Sequence, residues 1–353
     1  MKTLTRLSLW AGAAAGLVMV AAAAGLGSGC DSGGSSSTAD MTATGTGDMS
    51  TTGAADMATV GVAPFAKLSA GFRQPFGTVW DATTSAWYVA NVDGTPSDPK
   101  TLKDGKGAIT KIPVTGGMPG QPDHAWLNTG LNAPTGIKLY NNKLYFADVD
   151  QLVVVDIATK ATVRSATVAP SAQASLLMLP TFMLDVTVDP ATGAAYAIDA
   201  TGGRIVKFMT PLTANNTGAI VGNQGDYSGP SSIYYDMAAA RLVITEAGIN
   251  QFIMVPGGVS TVKLDGTGKA QLVTTTQNEL AFAGCEKDNA DYLIGSPKDK
   301  LIYRVNATSG SKVAIQSIGD GAFGLNDFGI DPATRTIAVP DASSNLVLFY
   351  KLQ

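Results

Sequence analysis

Across residues 61–353 the apolar positions come in short runs, and runs of one recurring kind end in a small or acidic polar residue. They read Tyr88-Val89-Ala90-Asn91, Tyr145-Phe146-Ala147-Asp148, Tyr196-Ala197-Ile198-Asp199, Val243-Ile244-Thr245-Glu246, Leu293-Ile294-Gly295-Ser296 and Ala338-Val339-Pro340-Asp341. The polar ends stand 57, 51, 47, 50 and 45 residues apart. Most units open with an earlier strand that closes on a turn, as in Val79-Trp80-Asp81, Val186-Thr187-Val188-Asp189-Pro190 and Gly329-Ile330-Asp331-Pro332. A third strand alternates polar and apolar positions, as in Arg204-Ile205-Val206-Lys207-Phe208 and Leu301-Ile302-Tyr303-Arg304-Val305. No long stretch places apolar residues at the i, i+3, i+4, i+7 spacing of a helix face. Three or four short strands per unit of about 50 residues, turned by Gly and Asp, predict an all-β chain folded as a six-bladed β-propeller.

The last unit predicts how the ring closes. After Asp341 a single strand, Leu346 to Tyr350, precedes the final residues, so the sixth blade is one strand short. A spare strand stands at 65–70, Phe65-Ala66-Lys67-Leu68-Ser69-Ala70, and is expected to complete blade six. Such closure removes sheet edges that would otherwise pair with other chains.

The Tyr-Val-Ala-Asp-like strand followed by an Ile-containing strand resembles NHL-repeat and gluconolactonase/regucalcin-like six-bladed propellers, over about 290 residues of shared rhythm. That resemblance implies a divalent cation, calcium among the candidates, held in the central channel by Glu, Asn and Asp. The family Glu precedes a Gly-Pro-x-Trp run, matched here by Phe76-Gly77-Thr78-Val79-Trp80, which puts Phe76 at the ligand position. The family Asn falls near Leu184 and the Asp near Ser231. None of the three residues is a carboxylate, so the metal-lactonase set is not carried over.

The amino terminus has a different pattern. Lys2 and Arg6 precede an apolar or small run from Leu7 to Leu26, which ends at Gly27-Ser28-Gly29-Cys30. This resembles a bacterial lipoprotein signal, which implies a diacylated Cys30 as the mature amino terminus, a cell-envelope location and attachment to the membrane through the lipid. The leucine usual three residues before the cysteine is Gly27 here, with Leu26 one place earlier. Residues 1–30 are therefore read as the signal. Residues 31–60 are almost wholly Ser, Thr, Gly, Ala, Asp and Met, too polar to form a core, and are read as a tether. The propeller occupies 61–353.

Charge and composition narrow the chemistry. The 353-residue chain carries 24 Lys plus Arg against 28 Asp plus Glu, so no basic field is present to bind nucleic acid. One histidine excludes His-cluster metal sites, and two cysteines exclude a disulfide scaffold. His124 has no companion nucleophile motif and reads as a residue of the crossover between blades one and two. Cys285 reads as a small buried apolar residue.

The six polar strand ends read as turn caps, with calcium ligation the alternative. Asp185 and Asp327 stand out, because they occupy equivalent places early in the inner strands of opposed blades three and six, where blades one and two have Gly77 and Gly136. Two carboxylates facing a channel suit a cation, a sugar hydroxyl or an amine. The stretch Leu176-Leu177-Met178-Leu179-Pro180-Thr181-Phe182-Met183 admits two packings: a partner patch led by Leu176, Leu177, Met178 and Phe182, or core over the blade ends. The insertion from Gly94 to Gly107 mixes charges and reads as a solvated loop. The leading functional expectation is a non-enzymatic binding or scaffold module for a small molecule, glycan or protein. A gluconolactonase-like metal-dependent hydrolase with a rearranged channel site is the alternative.

Overall fold

The computed structural model describes residues 63–352, apart from 94–101, 173–174, 176–179, 224, 251–252, 255, 276–281 and 319–324. Cys30, the 1–60 segment and four members of the apolar stretch (Leu176, Leu177, Met178 and Leu179) lie outside the described residues.

The described strands form six antiparallel blade sheets set around one axis, as the repeat count predicts, and one separate two-stranded pair, Ile249–Asn250 with Ile253–Met254. Blade one comprises Pro75–Asp81, Ala86–Asn91, Gly107–Thr115 and Asp123–Leu131, with the short Met118–Pro119 strand at its rim. Blade two runs Pro134–Tyr140, Lys143–Asp148, Gln151–Asp156 and Thr162–Arg164. Blade three runs Met183–Val188, Ala195–Asp199, Arg204–Phe208 and Ala219–Val221. Blade four runs Pro230–Asp236, Arg241–Glu246, Gly258–Lys263 and Ala270–Thr274. Blade five runs Ala283–Asp288, Asp291–Ser296, Leu301–Val305 and Lys312–Ser317. Blade six has Gly329–Asp331, Thr336–Asp341 and Leu346–Lys351 from the chain's end, and its outermost strand is Ala66–Leu68 from the other end. That strand pairs antiparallel with Val347–Phe349, and Phe65 packs on Phe349.

Apolar faces of neighbouring sheets meet to make the core. Ala86, Tyr88 and Ile109 of blade one pack on Ile137, Leu144 and Phe146 of blade two, and the same pairing recurs around the ring. Between blades six and one, Ala338, Val347 and Phe349 meet Trp87, Val89 and Ile112, so the seam where the chain ends join has a full apolar interface.

The two faces of the ring differ. Inner strands begin on one face, and the strand ends joined by the connections 92–106, 165–182, 222–229, 247–257, 275–282 and 318–328 all lie there. The opposite face is turned mainly by short hairpins, with 209–218 its longest connection. One turn chemistry recurs in these hairpins and in the first-face hairpin after Asp341: an aspartate caps the turn and the residue four places on takes a positive φ. The pairs are Asp81 with Ser85, Asp156 with Lys160, Asp189 with Gly193, Asp236 with Ala240, Asp331 with Arg335 and Asp341 with Asn345. In each the carboxylate accepts a backbone amide two or three residues ahead.

Candidate functional site

The polar ends of the second strands hold the loops of the first face. Asp148 accepts the amides of Asn132 and Ala133 and pairs with Arg164 at 2.7 Å. Asp199 accepts the amide of Gly202 and pairs with Arg204 at 2.7 Å. Glu246 accepts the Ser228 amide and the Ser260 hydroxyl, and Asp341 accepts the amides of Ser343 and Ser344. Asn91 and Ser296 bond within their own blades, to Thr110 and Asp299. These contacts are structural caps, spread over six blades.

The axis has a different chemistry. Pairing registers align Gly77, Asp185 and Ser232 at one level of the inner strands, and the close approaches of Gly77 and Gly284 to Asp327 and of Gly136 to Asp185 add Gly136, Gly284 and Asp327 to it. Side chains two residues apart share a face, so the next level carries Val79, Lys138, Thr187, Tyr234, Glu286 and Gly329. The charged members fall on opposed blades, Asp185 against Asp327 and Lys138 against Glu286. Lys138 donates a short hydrogen bond to Glu286 across the ring, joining residues 148 apart in sequence. Asp185 accepts the Ser232 hydroxyl at 2.6 Å and the Ile233 amide at 2.9 Å, tying blade three to blade four. Asp327 is fully buried and neither carboxyl oxygen has a hydrogen-bond partner of ordinary geometry. Its own neighbour, the Phe328 amide, only slightly favours the charged form.

Glycines admit these carboxylates. A Cβ on Gly136 would stand 2.1 Å from Oδ1 of Asp185, and one on Gly77 would stand 3.3 Å from Oδ2 of Asp327 and 2.9 Å from the Thr135 carbonyl oxygen. The Gly/Asp alternation seen in the sequence is thus a packing relation between adjacent inner strands.

Burial pushes Asp327 well above the ordinary carboxylate range, and Asp185 adds to the rise while Lys138 opposes it. Burial also raises Asp185 and Glu286, in each case against the Lys138 ammonium. Lys138 itself loses hydration, yet Asp327, Glu286 and Asp185 outweigh that loss and hold its ammonium well above the usual lysine value.

Apolar residues at the starts of inner strands and in the first-face connections join the core. Phe76, Val92, Leu102, Ala133, Phe182 and Leu184 belong to one buried cluster. Phe182, expected as part of an exposed patch under one of two packings, is 4 % exposed and lies in this core, because its amide is held by the Asp199 and Thr201 side chains. The insertion after Gly94 is only partly a solvated loop: Leu102 is buried and Lys103 pairs with Asp150 at 2.6 Å. His124 lies in the outer strand of blade one rather than in a crossover. Its Nδ1 meets the Thr110 hydroxyl at 3.0 Å and its Nε2 meets the Ala70 carbonyl at 2.8 Å. Cys285 is buried, and desolvation pushes its thiol well up.

Phe76, Leu184 and Ser231, the positions the family resemblance singles out, are each the bulged residue of their inner strand. Phe76 and Leu184 are core, and Ser231 bonds to Thr245 and the Phe282 carbonyl. Among the described residues no group of three His, Cys, Asp or Glu is arranged to hold a metal ion. Lys138 and Glu286 were missed by sequence reasoning. Their signal is a charge at the second level of an inner strand, in Ile137-Lys138-Leu139 and Cys285-Glu286-Lys287.

No family model matches the chain, and no curated protein matches it. Solved structures do. Virginiamycin B lyase from Staphylococcus aureus, a catalytically inactive form with quinupristin, matches at 14 % identity and TM-score 0.52, covering 82 % of this chain and 88 % of that one. A Bacteroides uniformis protein described as a 6-phosphogluconolactonase matches at 16 % identity and TM-score 0.54, covering 81 % and 85 %. A chain of a nidogen/laminin complex matches at 12 % and 0.52, covering 70 % and 91 %. These likenesses establish the propeller fold.

Proposed function

We propose that this protein is an exported, lipid-anchored binding or scaffold module that presents its loop-rich face from a flexible tether. The carrying observation is the asymmetry of the ring: six connections of eight or more residues join strand ends on the face where inner strands begin. Binding residues concentrate on loops held by a rigid scaffold. The lysine-and-arginine start, the apolar run and Cys30 support export and lipidation. Among structural neighbours one is in a nidogen/laminin complex and another is a lyase, so the fold admits both binding and catalysis. The hydrolase reading finds no support in the channel, whose family ligand positions are Phe76, Leu184 and Ser231.

Site-specific photo-crosslinking in the native cell envelope tests this. A crosslinker at Ser175 or Asn223, exposed on the loop-rich face, is expected to give discrete adducts. Crosslinkers at Ala82 or Ala239, exposed on the tight-turn face, are expected to give none. Adducts from the tight-turn positions alone would overturn the reading. Replacing Cys30 with Ser should release the protein from the membrane fraction.

A further inference from the structure

The chain enters the ring at one particular end. Ala66–Leu68 runs antiparallel to Leu346–Lys351, with Ala66 opposite Phe349 and Leu68 opposite Val347. Phe65 therefore stands beside the last residues of that strand. Its amide donates to the Phe349 carbonyl, and Lys351 Nζ lies 5.7 Å from the centre of its ring. The same Nζ donates to the Thr334 carbonyl at 3.1 Å, in the hairpin turn after Asp331. Everything before Phe65 thus joins the ring at the tight-turn end of blade six, opposite the long connections. Exposed apolar side chains gather at that same end. Six large ones are exposed among the described residues. Met118, Met209 and Met237 lie in tight-turn connections of blades one, three and four, at 52, 57 and 67 % exposure. Val163, Ile220 and Val313 are each the second residue of an outer strand that leaves that end. None of the six stands in a described segment of the loop-rich face.

We infer that the tight-turn face is turned to a lipid surface, the bilayer that holds the Cys30 lipid, with Met209 and Met237 resting among its headgroups and the loop-rich face pointing away. The inference rests on the lipid-anchor reading above. Residues 31–62, taken as a coil, span about 30 Å on average. That reach lets either face approach the bilayer, so attachment alone does not orient the ring, and the apolar asymmetry decides. A few scattered methionines would not hold a free protein to a membrane. Tethering changes this, because a short linker sets an effective concentration on the order of millimolar, at which a weak contact is populated. Methionine side chains are flexible and polarisable and adapt to an irregular surface. The bilayer then covers the face expected above to meet no partner protein, and the loop-rich face stays open to one.

Membrane fractionation of the full chain comes first. A chain absent from the membrane fraction refutes the anchor reading and this inference with it. The membrane-bound chain is then purified and reconstituted in vesicles of phosphatidylethanolamine and phosphatidylglycerol whose headgroups carry a nitroxide quencher. A fluorophore is placed through Ala239→Cys, exposed beside Met237, or through Asn223→Cys, exposed on the loop-rich face. Cys285 is buried, so the new cysteine takes the label. The Ala239→Cys probe is expected to lose most of its emission and the Asn223→Cys probe little. Adding Met209→Asp and Met237→Asp should remove the difference while the chain stays in the membrane fraction. Equal quenching of the two probes before those changes, or stronger quenching at Asn223→Cys, would overturn the orientation and leave the anchor reading standing. A dimer in detergent that the two Met→Asp changes dissolve would assign the methionines to a second copy of the chain and likewise overturn it.

Discussion

Asp327 and Lys138 show how burial sorts charges. Both sit on the axis: desolvation raises Asp327 well above the ordinary carboxylate range, while Asp327, Glu286 and Asp185 outweigh the burial of Lys138 and hold its ammonium above the usual lysine value. A carboxyl group whose folded-state value is raised binds its proton more tightly in the native protein. Its stabilising contribution is full below the unfolded value of about 3.9 and is lost as pH rises toward the folded value. Asp327→Asn removes that loss, so the variant should gain stability relative to the unaltered protein as pH climbs from 4 to 7. Urea unfolding at several pH values measures it, and parallel curves would contradict the assignment. Lys138 does not contribute to the slope in this window, since its value lies far above it. Of this site, Asp185 and Asp327 were legible in the sequence because counting repeats places blades three and six opposite each other. Lys138 and Glu286 were not, because a charge in an alternating strand reads as solvent-facing unless the strand is known to be innermost.

At the level of elements, the hairpin turns explain why the repeat is so readable. An aspartate fixes the turn and the fourth residue after it must take a left-handed conformation, whatever its identity. Gly193 suits that position, whereas Ser85, Lys160, Ala240, Arg335 and Asn345 occupy it with side chains. Non-glycine residues there cost about 1 kcal/mol. Ala240 is exposed, with φ 47°. Ala240→Gly is therefore expected to raise the melting temperature by about 2 °C, and a decrease by calorimetry would show the turn to be unstrained. The same periodicity made the second strands and their caps visible. It did not show that His124 lies in an outer strand, because Asp123–Leu131 pairs irregularly with its neighbour and breaks the alternation. Nor did it place Phe182, whose burial depends on hydrogen bonds from the following blade.

For the whole molecule, the ring is held by contacts between residues far apart in the chain. The seam uses Ala66–Leu68 against Val347–Phe349, the Thr78 hydroxyl donating to the Ala338 carbonyl, and the Gly329 amide donating back to Thr78. Deleting residues 65–70 while keeping the tether would expose the Leu346–Lys351 edge, and exposed edges recruit other strands. Lower melting temperature and concentration-dependent light scattering are expected, and unchanged behaviour would contradict the seam. The axis adds a second closure, joining blades two and five through Lys138 and Glu286, and three and four through Asp185. The central claim is that these axial groups serve ring closure and leave the loop-rich face to do the binding. The most direct measurement is a crystal structure of the protein grown in calcium or manganese, with anomalous differences collected along the axis. We predict continuous density from Lys138 to Glu286 and no anomalous peak there. A metal peak bound by Asp185 and Asp327, with Lys138 displaced, would contradict the account.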